Sequence, residues 1–220
     1  MGLQQEYILY RDGSYPFYYC CHYLPVTAGN DPISHSLLKF KEGQQPDLDS
    51  WIRGSLKMLA AAPTPQPIPP GTLIIRALHH QETSAPSPGS PSAPSPSPGS
   101  SSFPSSSPSH PPPSLDLLGN ALASHFHSHY LPGLLEKRSP CRAIKEFTRP
   151  RREEELRDLY TITPLHAKTL ASAPSLLIID DVLTTGTTVK MIIETLRQAT
   201  PAPRIRIFTL AKAIYNIYNI

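Results

Sequence analysis

The sequence predicts an α/β fold with a mostly parallel central sheet, a small N-terminal α+β subdomain beside it and a disordered Pro/Ser-rich insertion. Three observations predict it. Leu176 to Val189 reads LLIIDDVLTTGTTV, an apolar run closed by turn chemistry, after which Val189, Ile192, Ile193 and Leu196 recur at the spacing of one helix face. That is the pattern of a buried parallel strand, a loop and a helix. Thr72 to Leu78 reads as another buried strand with a helix, Leu115 to Phe126, behind it. Arg204 to Leu210 alternates into a last strand after the rigid turn Pro201-Ala202-Pro203.

In chain order, residues 1–70 form the expected N-terminal subdomain. Tyr7 to Tyr10 and Tyr15 to Tyr19 are β-rich runs around an Asp12-Gly13 turn, which reads as a hairpin. From Asp47, residues Leu48, Trp51, Ile52, Leu56 and Leu59 share a helix face, and the prolines between 63 and 70 end that helix. Residues 71–213 form the larger domain, and 214–220 are a tail. Within that domain, 84–113 is almost wholly Ser, Pro, Gly and Ala. Such a segment has too little apolar surface to offset its ordering, so it is expected to be disordered with polyproline character. His125, His127 and His129 alternate into a short strand, where a shared face would invite a metal reading; without nearby acids or cysteines, solvent exposure is the better expectation.

The chemistry concentrates on the strand–loop–helix unit. Strands of an open α/β sheet deliver ligands to their carboxyl ends, and the following helix opens with unpaired N–H groups and partial positive charge. Gly186 allows a tight bend around an anion, and the hydroxyls of Thr184, Thr185, Thr187 and Thr188 add donors. Asp180 and Asp181 suit a sugar diol, a cation, or both. Ribose 5-phosphate fits this combination. A P-loop is excluded because Lys190 follows the loop too late, and the dinucleotide glycine pattern is absent.

Asp180-Asp181-Val182-Leu183-Thr184-Thr185-Gly186-Thr187-Thr188 resembles the phosphoribosyl pyrophosphate (PRPP) motif of type I phosphoribosyltransferases, in particular the competence protein ComF-like branch. Leu37-Leu38-Lys39-Phe40-Lys41 resembles that branch's early lysine-aromatic segment. Arg152, with Glu155-Leu156 and Leu159-Tyr160 behind it, stands where the branch has an arginine followed by two short signature pairs, and Phe208 to Lys212 resembles its last strand. The resemblance implies that residues 180–188 bind PRPP, with Asp180 and Asp181 as the catalytic carboxylates on the ribose hydroxyls and the threonine loop on the 5-phosphate. It implies Mg²⁺ bound with PRPP, no metal held by the protein alone, and a homodimer as an open option. Arg76, Ala77 and Leu78, with His79 and His80 beyond, are the pyrophosphate-loop candidates. Arg142, Lys145 and Arg152, in a basic stretch from Lys137 to Arg157, are the mobile-loop candidates.

Composition bounds the partners. A net charge of +3 over 220 residues makes no electrostatic case for nucleic acid. Three cysteines, including the adjacent Cys20-Cys21, form neither a disulfide framework nor a zinc motif, and no early apolar run is long enough for a signal peptide or membrane helix. A soluble cytoplasmic protein is expected. Three functions compete: phosphoribosyl transfer from PRPP to a nitrogen nucleophile, an unidentified base or amine, with release of pyrophosphate; a non-catalytic PRPP- or nucleotide-binding accessory tied to DNA uptake or processing; and an interaction protein using its Pro-rich tract.

Overall fold

A buried strand with its neighbours parallel on both sides organises the chain. The computed structural model describes residues 2–11, 13–24, 31–63, 66–78, 114–137, 159–200 and 204–214. The Pro/Ser-rich stretch 84–113 and tail residues 215–220 lie outside the described residues. In chain order the elements are β1 (Gln4–Tyr10), β2 (Gly13–Tyr23), α1 (Pro32–Lys41), α2 (Asp47–Ala60), β3 (Leu73–Arg76) and α3 (Ser114–His125). They continue with β4 (His129–Tyr130), β5 (Leu135–Lys137), β6 (Tyr160–Ile162), α4 (Ala167–Ser172), β7 (Ser175–Leu183), α5 (Thr187–Ala199) and β8 (Arg204–Ala213).

The main sheet has six strands in the order β1-β2-β8-β7-β3-β4, and only the β1–β2 pair is antiparallel. β5 and β6 form a separate antiparallel pair. The mostly parallel sheet expected from the sequence is therefore present. The stretch 1–70, read as a subdomain beside the sheet, supplies two of its six strands, because β2 pairs in parallel with β8 from Phe17–Ile207 to Tyr23–Ala213. The hairpin itself forms as expected, with Tyr10 opposite Gly13. Alternation along β2 points to a strand but does not name its second neighbour, which is why the sequence left this pairing open.

Alternation also divides the core. Leu176 and Ile178 of β7 and Ile205 and Ile207 of β8 face one side, where Val189, Ile192, Ile193 and Leu196 of α5 cover them. Leu177 and Ile179, with Phe208 and Leu210, face the other side, covered by Leu37 and Phe40 of α1, Leu48, Trp51 and Leu59 of α2, and Leu118 and Leu122 of α3. Leu176 to Ile179 are fully buried, so β7 is apolar on both faces, as a strand between two helical layers must be. Asp31 caps α1 by accepting from the Ser34 N–H at 2.9 Å, and Trp51 of α2 donates its indole N–H to Ser36 of α1. This fixes the end of α1 over the sheet.

The three alternating histidines do not share a strand face. His125 ends α3, His127 sits in the following turn with φ of 51°, and only His129 is in β4; all three are exposed. The helix stops through a left-handed residue instead of flowing into the strand. Cys20 and Cys21 lie side by side in β2, and burial pushes their thiols up to about 12 and about 11, so both are held as unreactive thiols at neutral pH.

Close approach of α3 to β4 depends on Gly119: an added Cβ would lie 2.3 Å from Tyr130 Cε2. Gly119→Ala should therefore destabilise the fold by roughly 1–3 kcal/mol despite its gain in helix propensity, read as a lower urea midpoint at unchanged slope.

Candidate functional site

At the carboxyl end of β7 the backbone turns sharply into α5. Gly186 adopts φ of 73°, the left-handed region that glycine enters without a Cβ penalty, and Lys190 N–H then closes the first helical turn on the Gly186 carbonyl at 3.0 Å. Gly186, the residue before α5, has no side chain to cap it, so the opening N–H groups of α5 meet no side-chain acceptor from that position. Thr184 and Thr185 are exposed at the tip, Thr187 and Thr188 are partly buried, and the Thr185 and Thr187 hydroxyls stand 2.9 Å apart. Hydroxyl donors, N–H groups and the positive end of a helix thus converge where no carboxylate of the loop itself competes.

The carboxylates sit one step earlier. Asp181 N–H donates to Asp180 Oδ1 at 2.9 Å, and Val182 N–H donates to Asp181 Oδ1 at 2.6 Å. Because neighbouring strand residues alternate across the sheet, the two acids serve different faces. Asp181, in line with Ile179, meets Lys41 Nζ from the end of α1 at 2.9 Å. Asp180, in line with Ile178, lies in the field of Lys137 at the end of β5. Burial, reinforced by the Asp181 carboxylate, pushes Asp180 up to about 8; Lys41 and Lys137 pull it back only in part. For Lys41, burial works downward, but the charge and hydrogen bond of Asp181 together with the fields of Asp180 and Tyr23 turn the net direction up.

The pyrophosphate-loop candidates are partly committed to the fold. Arg76 Nε donates to Asp116 Oδ1 of α3 at 2.6 Å, and the Tyr130 hydroxyl donates to the same oxygen. Ala77 N–H donates to the Ile179 carbonyl at 2.9 Å, extending the β3–β7 ladder, and Leu78 packs beside the core on the α5 side. These three residues border β7 just before Asp180, since Arg76 pairs with Ile179. His79, His80, Arg142, Lys145 and Arg152 lie outside the described residues. The segment holding the last three leaves from Lys137 and returns at Tyr160, which are paired across β5–β6.

No protein-family model matches the chain, and no curated protein matches it. The site therefore rests on its own geometry.

Of the residues singled out in the sequence, Asp180, Asp181, Val182, Leu183, Thr184, Thr185, Gly186, Thr187 and Thr188 form one continuous rim, with Arg76, Ala77 and Leu78 on the adjoining strand end. Lys41 was noted only within the Leu37–Lys41 segment, and Lys137 only as part of a basic stretch. Their charge balance with the acids was not visible because it needs α1 and β5 to be brought to the same sheet end. Among the described residues, no three His, Cys, Asp or Glu converge on a possible metal position, and no helix is long and apolar enough to cross a membrane.

The raised Asp180 has a definite signature. Its proton is retained in the folded chain at pH values where an unfolded carboxyl, with pKa of about 4, has lost it. This contribution to stability is complete below about pH 4 and is lost as pH rises through the folded value of about 8. Unfolding of the ligand-free protein should show stability declining across that window, and Asp180→Asn should flatten the decline.

Proposed function

We propose that the chain binds PRPP and acts as a phosphoribosyltransferase of the type I kind, transferring the phosphoribosyl group to a nitrogen nucleophile as pyrophosphate leaves. One observation carries the reading: β7 delivers two acids, and the left-handed turn at Gly186 then opens α5 with four threonines around it. The acid pair matches a ribose diol and the helix opening matches a 5-phosphate, at one sheet edge and in the order that a ribose 5-phosphate requires.

In this reading the 5-phosphate accepts hydrogen bonds from N–H groups and hydroxyls of 184–188, and Asp180 and Asp181 accept from the ribose hydroxyls. Held at both ends, the sugar presents its anomeric carbon in a fixed direction, so the gain comes from orientation and electrostatics without a covalent intermediate. As the bond to pyrophosphate breaks, the ribose gains oxocarbenium character, which the Asp181 carboxylate favours and to which Asp180 adds once it has given up its proton. Asp181, joined by Asp180 as a cation's charge releases its proton, suits Mg²⁺ that enters with PRPP, because this ion is commonly held by one or two acids plus substrate oxygens; bound there, it would neutralise charge on the departing pyrophosphate. Lys41 occupies Asp181 in the free protein, and a ligand diol would compete with it.

A second reading, a PRPP- or nucleotide-binding accessory of the ComF-like type without turnover, is favoured by one feature. Arg76 is engaged by Asp116, and the Ala77 N–H is used by the sheet. Neither is then available to a leaving pyrophosphate unless that end rearranges.

Calorimetric titration of PRPP with Mg²⁺ into the full chain separates these readings. Micromolar binding that weakens at least about tenfold in Asp180→Asn/Asp181→Asn supports the site. Release of pyrophosphate on adding ammonia or free bases then supports transfer, and binding without release supports the accessory reading. A folded wild type that does not bind PRPP contradicts both. Gly186→Ala forces a Cβ into the left-handed region, at a cost of about 1–2 kcal/mol, and should weaken binding of ribose 5-phosphate in the same titration.

A further inference from the structure

The two edges of the main sheet are not alike. One edge is β4, of two residues, and the other is β1, of seven, which among the described residues pairs with β2 alone. An edge strand presents a row of open backbone groups, and proteins blunt it with proline, lysine, a bulge or short length. β1 reads QQEYILY and carries none of these: it has no proline and no basic residue, and its register with β2 runs unbroken from Gln4–Tyr19 to Tyr10–Gly13. Its one charge, Glu6, is already engaged by Lys212 and by the Tyr19 hydroxyl.

Which groups lie open follows from the turn. Tyr10 and Gly13 flank a two-residue connection, and such a turn is closed by a hydrogen-bonded pair. Since bonded and non-bonded pairs alternate along an antiparallel ladder, Tyr10, Ile8, Glu6 and Gln4 bond to β2. The N–H and C=O groups of Gln5, Tyr7 and Leu9 therefore point away from it. The side chains of these same three residues share the face that α1, α2 and α3 cover elsewhere, since Tyr18 opposite Gln5 belongs to that core. At Tyr7 and Leu9 the cover has run out: they are 58% and 73% exposed, whereas Ile8 between them is buried on the α5 side.

We propose that β1 pairs antiparallel with β1 of a second copy of this chain, about a two-fold axis at Tyr7, joining the two main sheets into one. In this register Tyr7 faces Tyr7, Gln5 faces Leu9, Glu6 faces Ile8 and Gln4 faces Tyr10, so every residue of the strand finds a partner. The outward groups of Gln5, Tyr7 and Leu9 then meet one another as hydrogen-bonded pairs. Leu9 lies diagonal to the partner's Tyr7, within reach across an antiparallel pair, so the exposed apolar side chains of both copies form one stripe. The two Glu6 side chains face Ile8 and not each other, so no like charges oppose. Both copies use the same patch, and the far edge of each sheet is only two residues long, so assembly stops at two. β2 and β8 separate this edge from β7, and the pairing does not depend on the PRPP reading.

The test is sedimentation velocity of the full chain over a concentration series. The expected result is a reversible monomer–dimer equilibrium that goes no further. Tyr7→Lys sets two like charges directly opposite, and Leu9→Lys puts lysine on the edge; each should raise the dissociation constant at least about tenfold. Both positions are exposed, so neither change should move the urea midpoint. Leu165→Lys, at a residue 80% exposed outside the strand, should leave the equilibrium as it is. The register has its own signature: Tyr7→Lys and Tyr7→Glu chains should each dimerise more weakly than wild type alone and recover the dimer when mixed. The proposal is overturned by a monomer at every concentration, by a dimer that survives Tyr7→Lys and Leu9→Lys or is lost equally in Leu165→Lys, by assembly that grows past two copies, or by a Lys–Glu mixture that stays as weak as its parts.

Discussion

The ion pair between Lys41 and Asp181 ties the first helix of the chain to its most buried strand, and the arrangement at the sheet's carboxyl edge depends on it. β7 is apolar on both faces through Ile179, so the two acids that follow emerge from a dry core into a rim where each needs a counter-charge. Lys41 from one helical layer supplies one of these, and the field of Lys137 from the other side supplies the second. Removing either acid's partner would leave a carboxylate at the end of a low-dielectric strand, where the neutral form is favoured. The raised Asp180 shows how close the balance already is: two acids in sequence share two cations, and burial tips one of the acids toward its protonated form.

Much of the fold was legible because periodicity reports burial. The run from Leu176 to Ile179, continuous rather than alternating, marked a strand covered on both sides, and α5 and α2 followed from the spacing of their apolar faces. What stayed hidden was partner choice. Nothing in Tyr15 to Tyr19 says that β2 lies against β8, almost two hundred residues later in the sequence, and so the N-terminal hairpin read as a neighbour of the sheet instead of part of it. The three histidines are exposed, as expected, and a left-handed residue at His127 ends the helix before the strand, so they never share one face.

The candidate site was legible where its parts are contiguous and illegible where they are assembled. Asp180 to Thr188 is one segment, and its chemistry could be read without knowing the fold. Lys41 reaches Asp181 only because Asp31 caps α1 and Trp51 fixes α2 against it. Arg76, attractive as a strand-end cation, is drawn toward Asp116 and Tyr130, whose approach to α3 depends on Gly119.

The central claim is that one end of β7 holds a ribose 5-phosphate unit, phosphate on the threonine loop and diol on the acid pair. The most direct measurement is a crystal structure of the full chain with ribose 5-phosphate. The account predicts phosphate density on the N–H groups and hydroxyls of residues 184–188, sugar hydroxyls on Asp180 and Asp181, and Lys41 displaced from Asp181. Density for the ligand elsewhere, or an undisturbed Lys41–Asp181 pair beside an empty loop at saturating ligand, would contradict it.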